Sequence, residues 1–334
     1  MASTNPVQLP GPQTQLAWRA ITEADLDDWH ALIRRMVDVD KPGWAEDRAD
    51  LEHALQRRGD DPALDSLLGV DADGVPRAFG LVSLNPGSVR ATGFGGVDPA
   101  WRRRGIGAAV YHWQAARARV RVKERDGENP VLRSYAEANN PSHLALLESA
   151  GARVVRYFTE MTRPLDGDIP DAQLAGGLEF RTFSEEISER LRQAHNEAFR
   201  DHWGSEPRDT ESWKFTVGHP QFRADWSFVV VDRTSGEIAA YQLASYDPES
   251  PAIFGYSEGY TELLGVLRPW RGKGIAPAML TEAMRRFRDS GMQNAGLGVD
   301  TENPSGALQI YENLGYRPVS RQVVFDLPLE RESA

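Results

Sequence analysis

The chain has 334 residues, 40% of them hydrophobic and 26% charged, which suits two globular domains at about 150 residues each. A formal charge of −11 argues against general nucleic-acid binding, and no window reaches the roughly 18 consecutive apolar residues of a membrane span. With no cysteine, disulfides, thiolate metal sites and a cysteine acyl-enzyme are excluded.

In chain order, MASTNPVQLPGPQTQ has neither a basic n-region nor an apolar h-region, and reads as a loose tail over residues 1–15 of a cytoplasmic protein. A first domain is expected over 16–165 and a linker over 166–177, within the Pro-, Gly- and Asp-rich stretch PLDGDIPDAQLAGG; a second domain follows over 178–330. The second domain opens with a strand at Leu178–Arg181. A helix follows over Ser184–Phe199, with Ile187, Leu191, Ala194 and Ala198 at spacings of three and four, and a shorter one over Thr210–Val217. Trp226–Asp232 and Ile238–Ala244 form a hairpin around Arg233–Gly236. Tyr256–Val266 runs into a glycine-rich loop. Beyond it Ile275, Met279, Ala283 and Phe287 mark a helical face closed by Gly291. A strand at Asn294–Asp300, a helix at Ser305–Asn313 and an extended segment at Tyr316–Asp326 complete the series. The order βααβββαβαβ predicts an α/β domain, a mixed sheet with helices on its faces.

The loop occurs twice. AWRRRGIGAA begins at Ala100 and RPWRGKGIAP at Arg268; Trp101 and Gly105 stand 169 residues before Trp270 and Gly274. NNPSHLALLESAGARVV, from Asn139, lies opposite ENPSGALQIYENLGYRPV, from Glu302, with Gly151 facing Gly315 at an offset of 164. A period this long suits duplication of a whole domain rather than a solenoid repeat. A strand entering a glycine-rich turn that opens a helix makes an anion site, because the first helical N–H groups are unpaired and the dipole is positive there. The dinucleotide fingerprint GxGxxG fails in both copies, where Val110 and Met279 replace its third glycine, and the triphosphate loop GxxxxGK[ST] is absent.

Both copies instead carry Arg-x-x-Gly-x-Gly/Ala: RRRGIG from Arg102 and RGKGIA from Arg271. With the Asn-Pro-Ser and YENLGY elements at the right distance, this pattern resembles the GNAT acyltransferase superfamily over almost all of each half. The resemblance implies two tandem GNAT domains, similar in architecture to the mycothiol synthases, with acetyl-CoA as cosubstrate. It places Arg271, Gly272, Lys273, Gly274, Ile275 and Ala276 at the pyrophosphate. Val266, Leu267 and Arg268 then lie beside the thioester, with N–H groups near Val266 and Leu267 polarising its carbonyl. Asn303 falls at the pantetheine amides, where a turn role before Pro304 is equally open. In the first half, Val97, Arg102, Arg103, Arg104, Gly105, Ile106, Gly107 and Asn140 form the matching, intact cradle.

The same resemblance makes Tyr311 the donor to the departing thiolate; a phenol is a neutral donor at pH 7, whereas Leu147, opposite it in the first half, donates nothing. Family members place a carboxylate base near the position of Tyr260. By a period of two Glu258, Tyr260, Glu262, Leu264 and Val266 share one side, so Glu258 or Glu262 takes the amine proton, through water; Gly93 faces Glu262 in the first half. The acceptor pocket is expected along HNEAFRDHWGSEP, from His195, through Asn196, Glu197, His202 and Trp203. No metal spacing is present among the seven histidines. The expectation is an acetyl-CoA-dependent N-acetyltransferase for a small-molecule amine, a monomer or homodimer working through its second half. Partners are the amine and CoA, with no nucleic acid and no membrane. A mycothiol synthase stays open within the class, as does a non-catalytic acyl-CoA sensor.

Overall fold

The computed structural model describes residues 7–43, 45–123, 125–302 and 306–329. In chain order the elements are β1 (Ala17–Arg19), α1 (Leu26–Asp40), α2 (Arg48–Gln56), α3 (Pro62–Asp65), β2 (Ser66–Val70), β3 (Pro76–Ser83), β4 (Arg90–Val97), α4 (Ile106–Val122), β5 (Val131–Glu137), α5 (Pro141–Ser149) and β6 (Arg153–Pro164). They continue with β7 (Leu178–Thr182), α6 (Ser188–Ala198), α7 (Thr210–Gly218), β8 (Phe228–Asp232), β9 (Ile238–Ser245), α8 (Ser250–Phe254), β10 (Glu258–Val266), α9 (Ile275–Asp289), β11 (Asn294–Asp300), α10 (Ala307–Asn313) and β12 (Arg317–Pro328). No helix among the described residues is long and apolar enough to cross a membrane.

Two compact units result, and their boundaries differ from those expected along the chain. One takes the chain through Tyr157 and again from Ser320; the other is Phe158–Val319. The reason is an exchange of last strands. Phe158–Pro164 of β6 pairs antiparallel with Asp300–Asn294 of β11, and Gln322–Pro328 of β12 pairs with Glu137–Val131 of β5. Sequence pattern shows an extended segment but not which sheet edge it joins. The expected domain ends at 165 and 330 therefore each assign a strand to the wrong sheet.

The first unit orders its strands β1-β2-β3-β4-β5-β12 and the second β7-β8-β9-β10-β11-β6. All pairings within them are antiparallel except β4 with β5 and β10 with β11. In the second unit α9 covers one face of the sheet with buried Ile275, Met279, Leu280, Met284 and Phe287 against Ala240, Ala295 and Leu297. Each such side chain contributes roughly 1.5–3 kcal/mol, which fixes the helix that presents the loop. The opposite face packs Leu191 of α6 and Trp213 of α7 against Tyr241 and Leu243. In the first unit α4 lies on Ala91, Leu132 and Phe325 through Tyr111, Ala115 and Ala118.

Local expectations hold for most of the second half. The helix expected from Ser184 opens as a 3₁₀ turn at Glu185–Ile187 before α6, and α8, a five-residue turn started by Pro251, has no counterpart in the expected series. The start of the helix expected from Ser305 lies outside the described residues.

Candidate active site

Gly272 and Gly274 adopt φ of +75° and +73°, a region L side chains enter at a cost of about 1–2 kcal/mol, and Gly274 caps α9 without any side-chain bond to its N–H groups. No acidic residue stands in the first turn. The open amides and positive dipole suit a phosphate group. Lys273 lies with Nζ 4.6 Å above the Trp270 ring, beside this opening. Arg271 does not join it. Its Nε donates to the Val266 carbonyl and its Nη2 to the Ala198 carbonyl, both at 3.0 Å, so the fork braces the end of β10 against α6. Arg268 pairs with Asp201 at the exposed rim.

Beside the loop, β10 and β11 part company. Their parallel pairing runs from Glu258 with Asn294 to Thr261 with Leu297 and stops there, although both strands continue. On the β9 side the Leu267 N–H donates to the Ala239 carbonyl at 3.0 Å, which removes it as a donor to a thioester. By the alternation of antiparallel bonds, the amide groups of Leu264 and Val266 turn toward the gap instead. Tyr311, like Leu264 and Val266, packs against the core that α9 covers, its ring 6.2 Å from that of Tyr316. Burial pushes its hydroxyl pKa up to about 12, so the phenol holds its proton at neutral pH. Asn303 lies outside the described residues.

A bulge changes the expected facing of β10. Its register with β9 steps between Thr261 and Leu263, leaving Glu262 as the extra residue. Glu258, Tyr260 and Glu262 stay on the face away from α9, while Leu264 and Val266 turn onto the α9 core. The single face expected from a period of two is therefore wrong beyond Glu262. Gly93 is not its counterpart either, because β3 and β4 pair without a step.

The face carrying Glu258 is hollowed by two glycines. A Cβ at Gly296 would collide with the Glu258 carboxylate, and one at Gly298 would stand 2.9 Å from Glu160 Oε1 and 3.0 Å from the Tyr260 hydroxyl. Across these gaps Tyr260 donates to Glu160 Oε2 at 2.7 Å, and Thr162 donates to Glu258 while accepting from Asn294 Nδ2 at 3.0 Å. Burial, with the like charge of Glu160 added, raises the Glu258 carboxyl to about 7. A carboxyl titrating there is matched to proton transfer at neutral pH. Glu262 accepts from Ser245 Oγ at 2.6 Å.

The α6–α7 connection reaches over this floor, where Trp203 meets Phe158 of β6 with ring centres 6.4 Å apart. His202 Nδ1 lies 3.1 Å from the Trp203 carbonyl, and Glu197 is exposed. Asn196 is committed elsewhere: its amide accepts from Arg208 N at 2.8 Å and donates to Arg208 O at 3.0 Å, so it shapes the connection rather than facing a ligand. His195, 2.6 Å from the Tyr241 hydroxyl, is a core residue whose pKa burial lowers to about 4.

Residues 188–316 match the Acetyltransferase (GNAT) family. The mycothiol acetyltransferase of Salinispora arenicola is 30% identical over 281 residues, covering 81% of this chain and 85% of that one. This chain belongs to the GNAT acetyltransferase family. The mycothiol acetyltransferase of Thermobifida fusca is 29% identical over 251 residues, 70% of this chain and 74% of that one. Among solved structures, a GCN5-related N-acetyltransferase from Sphaerobacter thermophilus superposes with a TM-score of 0.74 at 26% identity, over 97% of this chain and 98% of that one. A tandem GNAT protein from the clavulanic acid biosynthesis pathway shares the fold, with a TM-score of 0.70 at 18% identity over 95% and 100% of the two chains. GNAT acetyltransferases transfer acyl groups from acyl-CoA.

In the first unit of this GNAT acetyltransferase the loop is kept with different detail. Gly105 has φ +76°, and Arg103 adopts +65° where the second loop has Gly272. Arg102 donates to the Val97 carbonyl at 3.2 Å and grips both Asp40 oxygens at 2.6 Å, so it too is a brace. Arg104 lies 4.6 Å over Trp101. Ile106 is buried, Gly107 faces Leu146, and the Asn140 carbonyl oxygen caps α5 by accepting from His143 N at 3.1 Å. Leu147 is a sealed core residue at 0% exposure.

Sequence reasoning missed Glu160, whose strand falls in the first half of the chain, and Arg208. The alternating Gly-Leu-Gly at 296–298 was the available signal, since glycines two apart on a strand mark a place where something approaches closely.

Proposed function

We propose that this protein is an acetyl-CoA-dependent N-acetyltransferase for a small-molecule amine, with catalysis in the Phe158–Val319 unit. The carrying observation is the opening between β10 and β11, which has the uncapped start of α9 and Tyr311 on one face and Glu258 on the other. The diphosphate sits on the amides of Gly274, Ile275 and Ala276, and the acyl arm enters the opening along Leu264 and Val266. The neutral amine, on the Glu258 face, attacks the thioester carbonyl carbon. The C–N bond forms as the C–S bond breaks, Glu258 takes the amine proton, and Tyr311 gives its proton to the thiolate. Val266, with its amide toward the gap, supplies the backbone donor for the developing oxyanion. The mycothiol-type acceptor remains the second reading, favoured by the names of the relatives at 25–30% identity. Incubating the full chain with acetyl-CoA and a panel of amines, with products read by mass spectrometry, tests the reading. An acetylated amine is expected; binding of acetyl-CoA with no acetylation of any amine would favour a sensor.

A further inference from the structure

Arg208 stands in the α6–α7 connection and is used by nothing described above. Its backbone is clamped: Asn196 bonds both its N–H and its carbonyl, and Arg192 Nη1 donates to that carbonyl at 2.8 Å. Its Nη1 donates to Thr216 Oγ1 at 2.6 Å, and Thr216 is in turn bonded to the Ser212 carbonyl at 3.0 Å. Among the described residues that is the only partner of the guanidinium, which has five N–H donors. Among the described residues no carboxylate lies within ion-pair distance of it, although Glu262 and the His195–Tyr241 pair are near enough to feel the charge. Burial lowers the pKa of Arg208, which means that much of its hydration has been lost without a counter-charge. Yet none of its unpaired nitrogens is sealed inside the protein, so they face accessible space.

A rigid, half-dehydrated guanidinium with spare donors is costly to keep and well suited to a planar or tetrahedral oxyanion, which its fork binds through two parallel bonds. The carboxylate whose charge Arg208 feels is Glu262, which shares its face of β10 with Glu258, and Arg208 itself has no acid partner among the described residues. A substrate filling this space needs an ammonium or amine toward the carboxylates and a negative group toward Arg208.

We propose that the acceptor amine carries an anionic group, a carboxylate or a phosphate, and that Arg208 binds it. This rests on the acetyltransferase reading above and narrows its substrate class.

The test uses the full-length protein, acetyl-CoA and matched pairs: L-amino acids against their C-terminal amides, and ethanolamine phosphate against ethanolamine. The anionic member of at least one series is expected to show kcat/KM roughly ten- to a hundredfold above its neutral partner, the range of charge-assisted hydrogen bonds. The series that responds tells carboxylate from phosphate. Arg208→Gln should erase that ratio through KM while leaving affinity for acetyl-CoA unchanged, and Arg208→Lys should restore part of it. Equal use of neutral and anionic partners, or a ratio that survives Arg208→Gln, overturns the proposal. If acetyl-CoA binds but neither series turns over, the acetyltransferase reading is what fails first. The charge question is then settled by calorimetry of the same pairs with the CoA-loaded protein, where absence of an Arg208-dependent preference for the anion counts against the proposal.

Discussion

The two units share a loop and differ in what lies across the sheet from it. Aligned on the start of their parallel ladders, Arg90 with Val131 and Glu258 with Asn294, the glycine hollow of the second unit has a filled counterpart in the first. Arg133 stands where Gly296 is, Tyr135 where Gly298 is, Asp326 where Thr162 is and Val324 where Glu160 is. Arg133 closes a bidentate pair on Asp326, with both bonds at 2.8 Å and 6% of the arginine side chain exposed. Add Leu147 for Tyr311 and an unbroken β4 for the bulged β10, and the first unit keeps the glycine loop and open helix start with the space across the sheet plugged. Binding and turnover rest on different residues, so duplication can retain the first while losing the second.

Five tests would break or sharpen that comparison. The largest effect is expected from a chain beginning at Asp166, which lacks β6 and with it Glu160 and Thr162. It should show no cooperative melt by circular dichroism and no activity, because β11 is left with a bare edge. Cooperative melting with full activity would mean the borrowed strand is dispensable. Next, Gly274→Asp puts a side chain at φ +73° and a negative charge at the open helix start. We expect a loss of acetyl-CoA affinity above about a hundredfold by calorimetry, whereas Gly105→Asp should leave most of the acetylation rate. Equal damage from both would abolish the proposed division of labour.

Glu258→Gln should lower kcat by roughly 10²–10³. The wild-type rate should rise with pH through about 7, since the carboxyl accepts a proton only once ionised, and the variant should lose that limb. The sign for stability is the reverse. A carboxyl raised from 4.5 in the unfolded chain to about 7 in the fold binds its proton more tightly when folded, so its contribution is full below about 4.5 and is lost as pH rises to about 7. Tyr311→Phe should cost roughly 10² in kcat with little change in acetyl-CoA binding, and kcat within twofold of wild type would show that the thiolate leaves unaided. The smallest effect concerns the loops themselves. Arg103→Gly should stabilise the protein by about 1 kcal/mol by relieving φ +65°, and Gly272→Ala should destabilise it by about as much, both read as shifts in Tm.

The loops were legible in the sequence because their physics is local. Glycines at positive φ and the run from Ile275 to Phe287 announce turn and helix wherever they occur. The proposed acceptor face was legible only in part. Glu258 could be named, but its neighbours Glu160 and Thr162 stand about a hundred residues away along the chain, on a strand whose sheet the pattern does not specify. The bulge at Glu262 depends on the register with β9, which no alternation within β10 reveals. Arg271 and Arg102 match their motif by spacing, and only the position of their acceptor carbonyls shows them to be braces.

The crossed strands also bear on inheritance. A duplicated gene normally lets an idle copy decay or be deleted. Here deletion of the first half of the chain would take with it seven residues, Phe158–Pro164, that pair with β11 in the second unit, and the codons for Gln322–Pro328, which pair with β5 in the first unit, lie downstream of the whole second unit. The first unit is therefore encoded in two separated stretches, one through Tyr157 and one from Ser320, and cannot be cut out as one. On the proposed division of labour, a first unit relieved of chemistry would still be kept under selection by the strand it lends, and its glycine loop would survive as a passenger of that constraint.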